Sequence, residues 1–283
     1  MTVKLSLVIP VYNEERQIRE CLEHIIGQTR PVDECVIVDN NSTDETLRIV
    51  SEFGGRLPIR VIVEKRQGVA WARRAGAIAA TGEILGQIDA DSRLEADWAE
   101  TVDAYFTNNP EVDGVSGPFY FFDSPMTDRA RRKVRENAER HGHSDVGGTT
   151  GLSGGNSALR RTAWLRAEPL MKNLARTHED VDLSYALRES NAQLRHLPGM
   201  IVSISTRRYE ASMASNWKYL SATIRTQRAH GDHKAAAIQT ALLPINMVQF
   251  SIAGLVFRPY DPETKQWKPW SRRTRDRVSP VTS

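Results

Sequence analysis

Over its first hundred residues the chain repeats one unit: a short apolar run, a polar turn, then a helical stretch. Lys4–Tyr12 is almost continuous β-branched and leucine sequence, the pattern of a strand buried on both faces. Glu14–Gln28 places Ile18, Cys21, Leu22, Ile25 and Ile26 at helical spacing. Cys35–Asp39 is a second strand, and Ser42 and Glu45 beyond it have capping-box spacing at the head of a helix. Ile59–Glu64, the alanine-rich helical run Gln67–Thr81 and the strand Glu83–Asp89 continue the alternation. It predicts an α/β fold, a mostly parallel sheet with right-handed crossovers and flanking helices.

After Asn108 the rhythm changes. Val112–Tyr120 reads as a strand, Met126–His141 as a basic helix, Glu179–Ser190 as a helix and Gln193–Ser203 as a strand, with a glycine-rich loop before the second helix. A long helical stretch begins near Ala211, and Ala235–Phe257 carries no charge. Drawn as a helix, this run puts Gln239, Asn246 and Gln249 close to one stripe. Ile238, Leu242, Ile245, Val248, Ile252 and Leu255 gather away from it. That is the pattern of a helix lying on a surface, either the protein's own core or a lipid interface; Pro244 and the polar residues fit a spanning helix less well.

The net charge of +3 is too small for the whole chain to be a nucleic-acid binder. Arg258–Ser283, with seven basic and three acidic residues, is instead suited to anionic headgroups, with Trp267 and Trp270 suited to the interfacial zone. Cys21 and Cys35 are the two cysteines, so a disulfide framework is not expected and a cytoplasmic setting is. Met1 runs straight into strand-like sequence without the pattern of a secretory leader. The expected organisation is one catalytic domain over residues 1–230, with a nucleotide half of about 1–110 and an acceptor half of about 111–230. An apolar helix and basic tail, 231–283, follow as a C-terminal helical extension.

In an open parallel sheet, ligands bind beyond the carboxyl ends of the strands. Three of the apolar strands end in acidic or polar clusters: Tyr12-Asn13-Glu14-Glu15, Asp39-Asn40-Asn41 and Asp89-Ala90-Asp91. Neither GxGxxG nor GxxxxGK[ST] follows the first strand, which disfavours dinucleotide dehydrogenases and P-loop NTPases. A carboxylate-rich site repels a bare diphosphate unless a divalent cation lies between them. An Asp-x-Asp turn supplies hard oxygen ligands for Mg2+ or Mn2+.

The ordered set SLVIPVYNEE, VIVDNNSTDET, GVAWARRAG, the strand ending in DAD, GGNSALRR and HEDVDLSYALR resembles the family 2 glycosyltransferases of the GT-A fold, over about Leu5–Arg188. The resemblance implies inverting transfer of a sugar from a UDP, GDP or TDP sugar to a hydroxyl or phosphate on a glycan or lipid-linked acceptor. Such chemistry belongs to cell-envelope or polysaccharide synthesis, carried out in the cytoplasm or peripherally on the inner face of the membrane. It further implies donor contacts from Pro10, Tyr12, Glu14, Asp39, Asn41 and Arg73, and from Asp89 and Asp91 with Ala90 between them. Asp91 is the more direct metal ligand in that scheme. Asp180 is implied as the base, with Glu179 its neighbouring rival, and Gly154, Gly155 and Asn156 lie on the acceptor side. Arg74 stands where the family usually has asparagine and adds positive charge near the donor.

Structural readings compete with these. Asn13, Ser42 and the acidic residues after them suit helix starts, Ser92 and Glu95 have capping-box spacing, and so do Thr177 and Asp180. Arg207 and Arg208 suit a bidentate clamp on the donor diphosphate or a solvated surface pair. His230 and His233 are expected to be solvated. Two other functions remain open: a sugar-nucleotide nucleotidyltransferase, whose usual basic glycine-rich loop is replaced here by PVYNEE, and a non-catalytic nucleotide-sugar binder, which would need no base.

Overall fold

The structure is a computed structural model that describes residues 2–149, 151–172 and 176–268. The first half runs β1 (Leu5–Val11), α1 (Ile18–Ile26), β2 (Glu34–Asp39), α2 (Thr46–Ser51), β3 (Ile59–Val63), α3 (Val69–Ala79) and β4 (Ile84–Ile88). It continues through β5 (Arg93–Leu94), α4 (Trp98–Asn108), β6 (Gly114–Ser116), β7 (Phe119–Phe121) and α5 (Thr127–His141). The second half holds β8 (Asn156–Arg160), α6 (Arg161–Ala167), α7 (Glu179–Glu189), β9 (Leu194–His196) and β10 (Val202–Ile204). A short 3₁₀ turn, Thr206–Glu210, leads to α8 (Met213–Ala229), α9 (His233–Phe257) and the hairpin β11 (Tyr260–Asp261) and β12 (Gln266–Trp267).

Seven strands form one sheet in the order β3-β2-β1-β4-β8-β6-β9. β3, β2, β1 and β4 are mutually parallel; β8 runs antiparallel to β4 and β6, and β9 parallel to β6. β5, β10 and β7 make a second, three-stranded sheet. Alternation along β1 divides the core. Leu5, Leu7, Ile9 and Val11 face α1, α2 and α4, while Val8 joins α3, α6 and α7 on the other side. The strand order reverses beside β1, with β2 on one flank and β4 on the other, which opens a crevice where Glu14 and Asp89–Asp91 emerge.

Two expected strands each break in two. Val112–Tyr120 divides into β6 and β7 at Gly117-Pro118: Pro118 lacks an N–H, and a Cβ on Gly117 would lie 1.8 Å from the Met200 carbonyl oxygen. Gln193–Ser203 divides into β9 and β10 around Pro198-Gly199, so the two pieces serve different sheets. The capping boxes do not form either. The N-cap of α2 is Glu45, that of α4 is Asp97 and that of α7 is His178. Pro269–Ser283, which includes Trp270 and the arginine-rich part of the tail, lies outside the described residues.

α3 lies directly on β1 and β2, and the close approach depends on Gly76. A Cβ there would meet Val8 Cγ1 at 2.3 Å and Val38 Cγ2 at 2.9 Å. Gly76→Ala adds helix propensity, worth up to about 1 kcal/mol, but overpacks this contact. The net expectation is a loss of about 1–3 kcal/mol in unfolding free energy, read by urea denaturation; a gain in stability would show that the helix is free to move away.

Candidate active site

At the carboxyl ends of β1 and β2 the two polar turns interlock. Asn13, at φ 53°, accepts through Oδ1 from the Thr43 N–H at 2.8 Å, and its own N–H donates to Ser42 Oγ at 3.2 Å. Asp39 Oδ1 accepts from the Ser42 N–H at 3.0 Å, so Ser42 ties the turns together and caps no helix. Asn40 Nδ2 donates to the carbonyls of Glu64 and Arg66, and Asn41 Nδ2 donates to that of Lys65, which brings the loop before α3 alongside. Pro10 sits within β1 opposite Val38, and Tyr12 follows the strand. Pro10, Tyr12, Asp39 and Asn41 therefore rim the sheet edge, apart from the place where the acidic and basic groups meet.

That place is a cavity of about 250 Å³ lined by Arg73, Asp89, Asp91, Gly154, Gly155, Asn156, Glu179, Asp180 and Arg208. It gathers β4, α3, the β8 approach, α7 and the 3₁₀ turn from across the chain. Arg73, from α3, donates through Nη2 to Asp89 Oδ1 at 2.6 Å and through Nε to Glu179 Oε1 at 3.1 Å. Its Nη1 is buried with no hydrogen-bond partner among the described residues. Gly154 donates its N–H to Asp180 Oδ2 at 3.2 Å, and the Val181 N–H donates to Asp180 Oδ1 at 2.8 Å. The two glycines suit this closeness: a Cβ on Gly155 would press on Asp89 Oδ2 at 3.0 Å, and one on Gly154 on Arg73 Nη2 at 3.1 Å.

Arg207 is not a solvated residue. It is 8 % exposed; its Nη1 and Nη2 donate to Glu14 at 2.7 Å each, and its Nε donates to Asp91 Oδ2 at 2.9 Å. A guanidinium with all three nitrogens on carboxylates positions Asp91 and does not present itself to a diphosphate. Arg208 is the one of the two that lines the cavity, stacked over the Tyr219 ring at 4.1 Å. Burial opposes the charge of Arg207, but Asp91 and Glu14 overcompensate and hold its pKa above the ordinary value. Arg73 is raised likewise by Asp89, Glu179 and Asp180 against the effect of burial. Glu179 goes the other way for a carboxyl: burial first, then the charge of Asp180, push it up to about 7 despite Arg73.

Hard oxygen donors suitable for Mg2+ or Mn2+ meet here. Asp89 keeps one-third of its side chain exposed and borders the cavity with Asp91, which fits a cation by donor chemistry. Ligand atoms of His178, Glu179 and Asp180 also lie within 4.8 Å of one another, although His178 Nε2 is 2.9 Å from the Tyr219 carbonyl oxygen.

Several expected roles change. Ala90 is 3 % exposed and packs in the core beneath the turn. Asn156 borders the cavity, but its side chain joins the Trp98 indole N–H to the carbonyls of Pro118 and Met200. Arg74 pairs with Glu168 at 2.6 Å and adds no charge to the cavity. Ser92 Oγ accepts from the Asp89 N–H, and Glu95 binds Arg131, Arg135 and the Tyr120 hydroxyl. The His230 side chain is fully buried, stacked on Tyr185 at 4.8 Å with its nitrogens on Asp182 and Glu189. Sequence reasoning did not find the aromatic wall of Phe119, Phe121, Tyr209, Tyr219 and Phe250. Four elements supply it, so it has no local signature beyond a dense FYFF run.

A GT-A-type α/β scaffold with acidic strand ends defines a sugar-transferring class. The model of Glycosyl transferase family 2 matches residues 6–165, and the chain belongs to that family. The chain is 31 % identical over 118 residues to the glucosyl-dolichyl phosphate glucuronosyltransferase of Haloferax volcanii, covering 41 % of this chain and 38 % of that one. It thus spans well under half the length of that relative. In structure it resembles the mannosyltransferase PcManGT of Pyrobaculum calidifontis in complex with GDP-Man and Mn2+. The TM-score is 0.63 at 21 % identity, covering 90 % of this chain and 73 % of that one. It also resembles S. aureus TarS 1-349 in complex with UDP-GlcNAc, with TM-score 0.54 at 17 % identity over 79 % and 66 % of the two chains.

The raised pKa of Glu179 has a definite sign. Unfolded, the carboxyl ionises near 4.5; folded, it holds its proton to about 7. Its contribution to stability is full below pH 4.5 and is lost as pH rises through 7. Thermal melts from pH 4 to 8 are expected to show Glu179→Gln gaining on the parent protein across that window and levelling off above it. A pH-independent difference would refute the buried, protonated carboxyl.

Proposed function

We propose that this glycosyltransferase works with inversion, moving a sugar from a nucleotide-diphosphate donor to a hydroxyl or lipid-phosphate acceptor. The observation that carries the reading is the convergence of Arg73, Asp89, Asp91, Glu179 and Asp180 on one glycine-walled cavity. Asp180 is the base: two backbone N–H groups orient it, whereas Glu179 is held by Arg73. It takes the acceptor's proton as the acceptor oxygen attacks the anomeric carbon from the face opposite the diphosphate. The new glycosidic bond forms as the bond to the diphosphate breaks.

Asp91, held in place by Arg207, and Asp89, held by Arg73, would bind Mg2+ or Mn2+. Such a cation, when bound, offsets the charge that the leaving diphosphate gains. Arg208 and the unpartnered Nη1 of Arg73 supply donors for phosphate oxygens. Pro10, Tyr12, Glu14, Asp39 and Asn41, at the ends of β1 and β2, stand on the nucleoside side of this arrangement. The GDP-Man and Mn2+ of the archaeal neighbour and the UDP-GlcNAc of TarS support a nucleotide-sugar donor and a divalent metal. The name of the haloarchaeal relative, a glucosyl-dolichyl phosphate glucuronosyltransferase, supports a lipid-linked acceptor. Residues 1–230 carry out catalysis in this reading, and 231–283 are an extension that works at the inner face of the membrane and lends Phe250 to the cavity wall.

Asp180→Asn keeps the size and hydrogen-bonding capacity of the side chain but removes its basicity. Turnover should fall by about 10²–10⁴, with donor binding unchanged, in an assay using a panel of UDP, GDP and TDP sugars. A larger loss in Glu179→Gln moves the base by one residue. Excess chelator should abolish transfer and manganese should restore it, and Asp91→Ala should not be rescued by added metal. Full activity in chelator overturns the metal-assisted mechanism, and donor binding without turnover points to a nucleotide-sugar binder.

A further inference from the structure

α9 has its polarity reversed for a helix facing water. Its polar residues Gln239 and Asn246 are half-buried on the side that packs toward α8, beside Leu243, Met247 and Phe250. The opposite side presents Ile238, Leu242, Ile245, Val248, Ile252 and Leu255, each between 42 % and 73 % exposed. These six are the stripe that the sequence left open as core. The core is excluded, because the stripe faces away from the protein. The helix is also pinned along its length: Gly254 lies so close to the 3₁₀ turn that a Cβ would be 2.6 Å from the Tyr209 carbonyl oxygen. Scattered exposed apolar residues are ordinary, but six exposed aliphatic side chains along one side of a 25-residue helix, with the exposed Gln249 among them, mark a contact surface.

The charge around the face selects the occupant. Between residues 211 and 258 the chain carries Lys218, Arg225, Arg228, Lys234 and Arg258 against one acidic residue, Asp232. Asp232 accepts from the Ala235 N–H at the start of α9 and from the Tyr185 hydroxyl. A groove of about 300 Å³ between α8 and α9 combines Trp217, Leu243 and Pro244 with Arg225 and Arg228. Two copies meeting face to face would bring like charges together, whereas an anionic bilayer complements them and takes up the aliphatic stripe.

We infer that α9 lies in the plane of an anionic membrane, docking the enzyme peripherally through its outward face, with the basic residues of α8 and the helix ends on the headgroups. One side of the helix stays on the protein, so it lies on the bilayer and does not span it. Phe250 of the same helix lines the catalytic cavity beside Tyr219, which sets the bilayer about one helix diameter, roughly 10 Å, from the site. The docked arrangement selects an acceptor carried on a lipid, whose anchor remains in the membrane while its head reaches Asp180. This last step rests on the transferase proposal; the docking face does not.

The test is co-sedimentation of the 283-residue chain with phosphatidylcholine vesicles, with and without phosphatidylglycerol. Binding is expected to the anionic vesicles and to weaken with salt. The triple variant Ile245→Asp, Val248→Asp, Ile252→Asp should lose about a hundredfold in affinity, roughly fivefold for each half-exposed aliphatic side chain, while donor hydrolysis is unchanged. Should that variant fail to fold, Arg228→Gln with Lys234→Gln is expected to lose about fivefold per charge. Absence of binding to anionic vesicles at low salt overturns the inference. So does resistance to alkaline carbonate extraction, which indicates a span, or a dimer in sedimentation velocity that the aspartates dissociate. Vesicle binding without any donor turnover upholds the docking face and sinks the transferase mechanism alone.

Discussion

Two buried arginines hold together the acidic groups on which this site is built. Arg207 ties the turn after β1 to the turn after β4 through Glu14 and Asp91, and Arg73 ties that second turn to the start of α7 through Asp89 and Glu179. The carboxylates of Glu14, Asp89 and Asp91 would repel one another if brought together alone, and Glu179 is crowded enough to hold its proton. Buried ion pairs of this kind add little net stability, because desolvation offsets most of the attraction, but losing one partner leaves an uncompensated charge. The network thus acts mainly on geometry: it fixes where the turns after β1 and β4 meet the start of α7.

The glycines complete that geometry. Gly154 and Gly155 stand where a single Cβ would press on Arg73, Asp89, Asp180 or Glu179, so the β8 approach closes over the carboxylates without displacing them. The crowding has an electrostatic consequence. Glu179 is buried beside Asp180, and it keeps its proton far above the usual carboxylate range although Arg73 touches it. Two adjacent acidic residues thereby acquire different work: one anchors an arginine, and the other is held by backbone N–H groups facing the cavity. Environment, not residue type, separates them.

The C-terminal helices obey a different constraint. Along its length α9 pairs its mixed face and leaves the aliphatic one outside. Because Phe250 in the wall of the cavity and the outward stripe belong to one helix, the two are mechanically one element.

The alternation of apolar runs and helical stretches determined the parallel half-sheet, since strand burial and helix periodicity are local properties written into neighbouring residues. The acidic strand ends were legible for the same reason, and so was the ordered set of motifs that marks the family. What the chain could not show locally was partnership. Arg207 looks like a surface basic residue until Glu14, 193 positions away, is brought against it. Asn156 looks like an acceptor-side residue until Trp98 and two carbonyls claim its side chain. Ser42 and Glu45 have the spacing of a helix cap, yet the N–H of Asn13, from the turn after β1, takes the Ser42 hydroxyl instead. Even the helical period of α9 was readable, while the direction of its apolar face was not. That direction depends on which side packs against α8 and the Tyr209 carbonyl, a choice made only when the chain is folded.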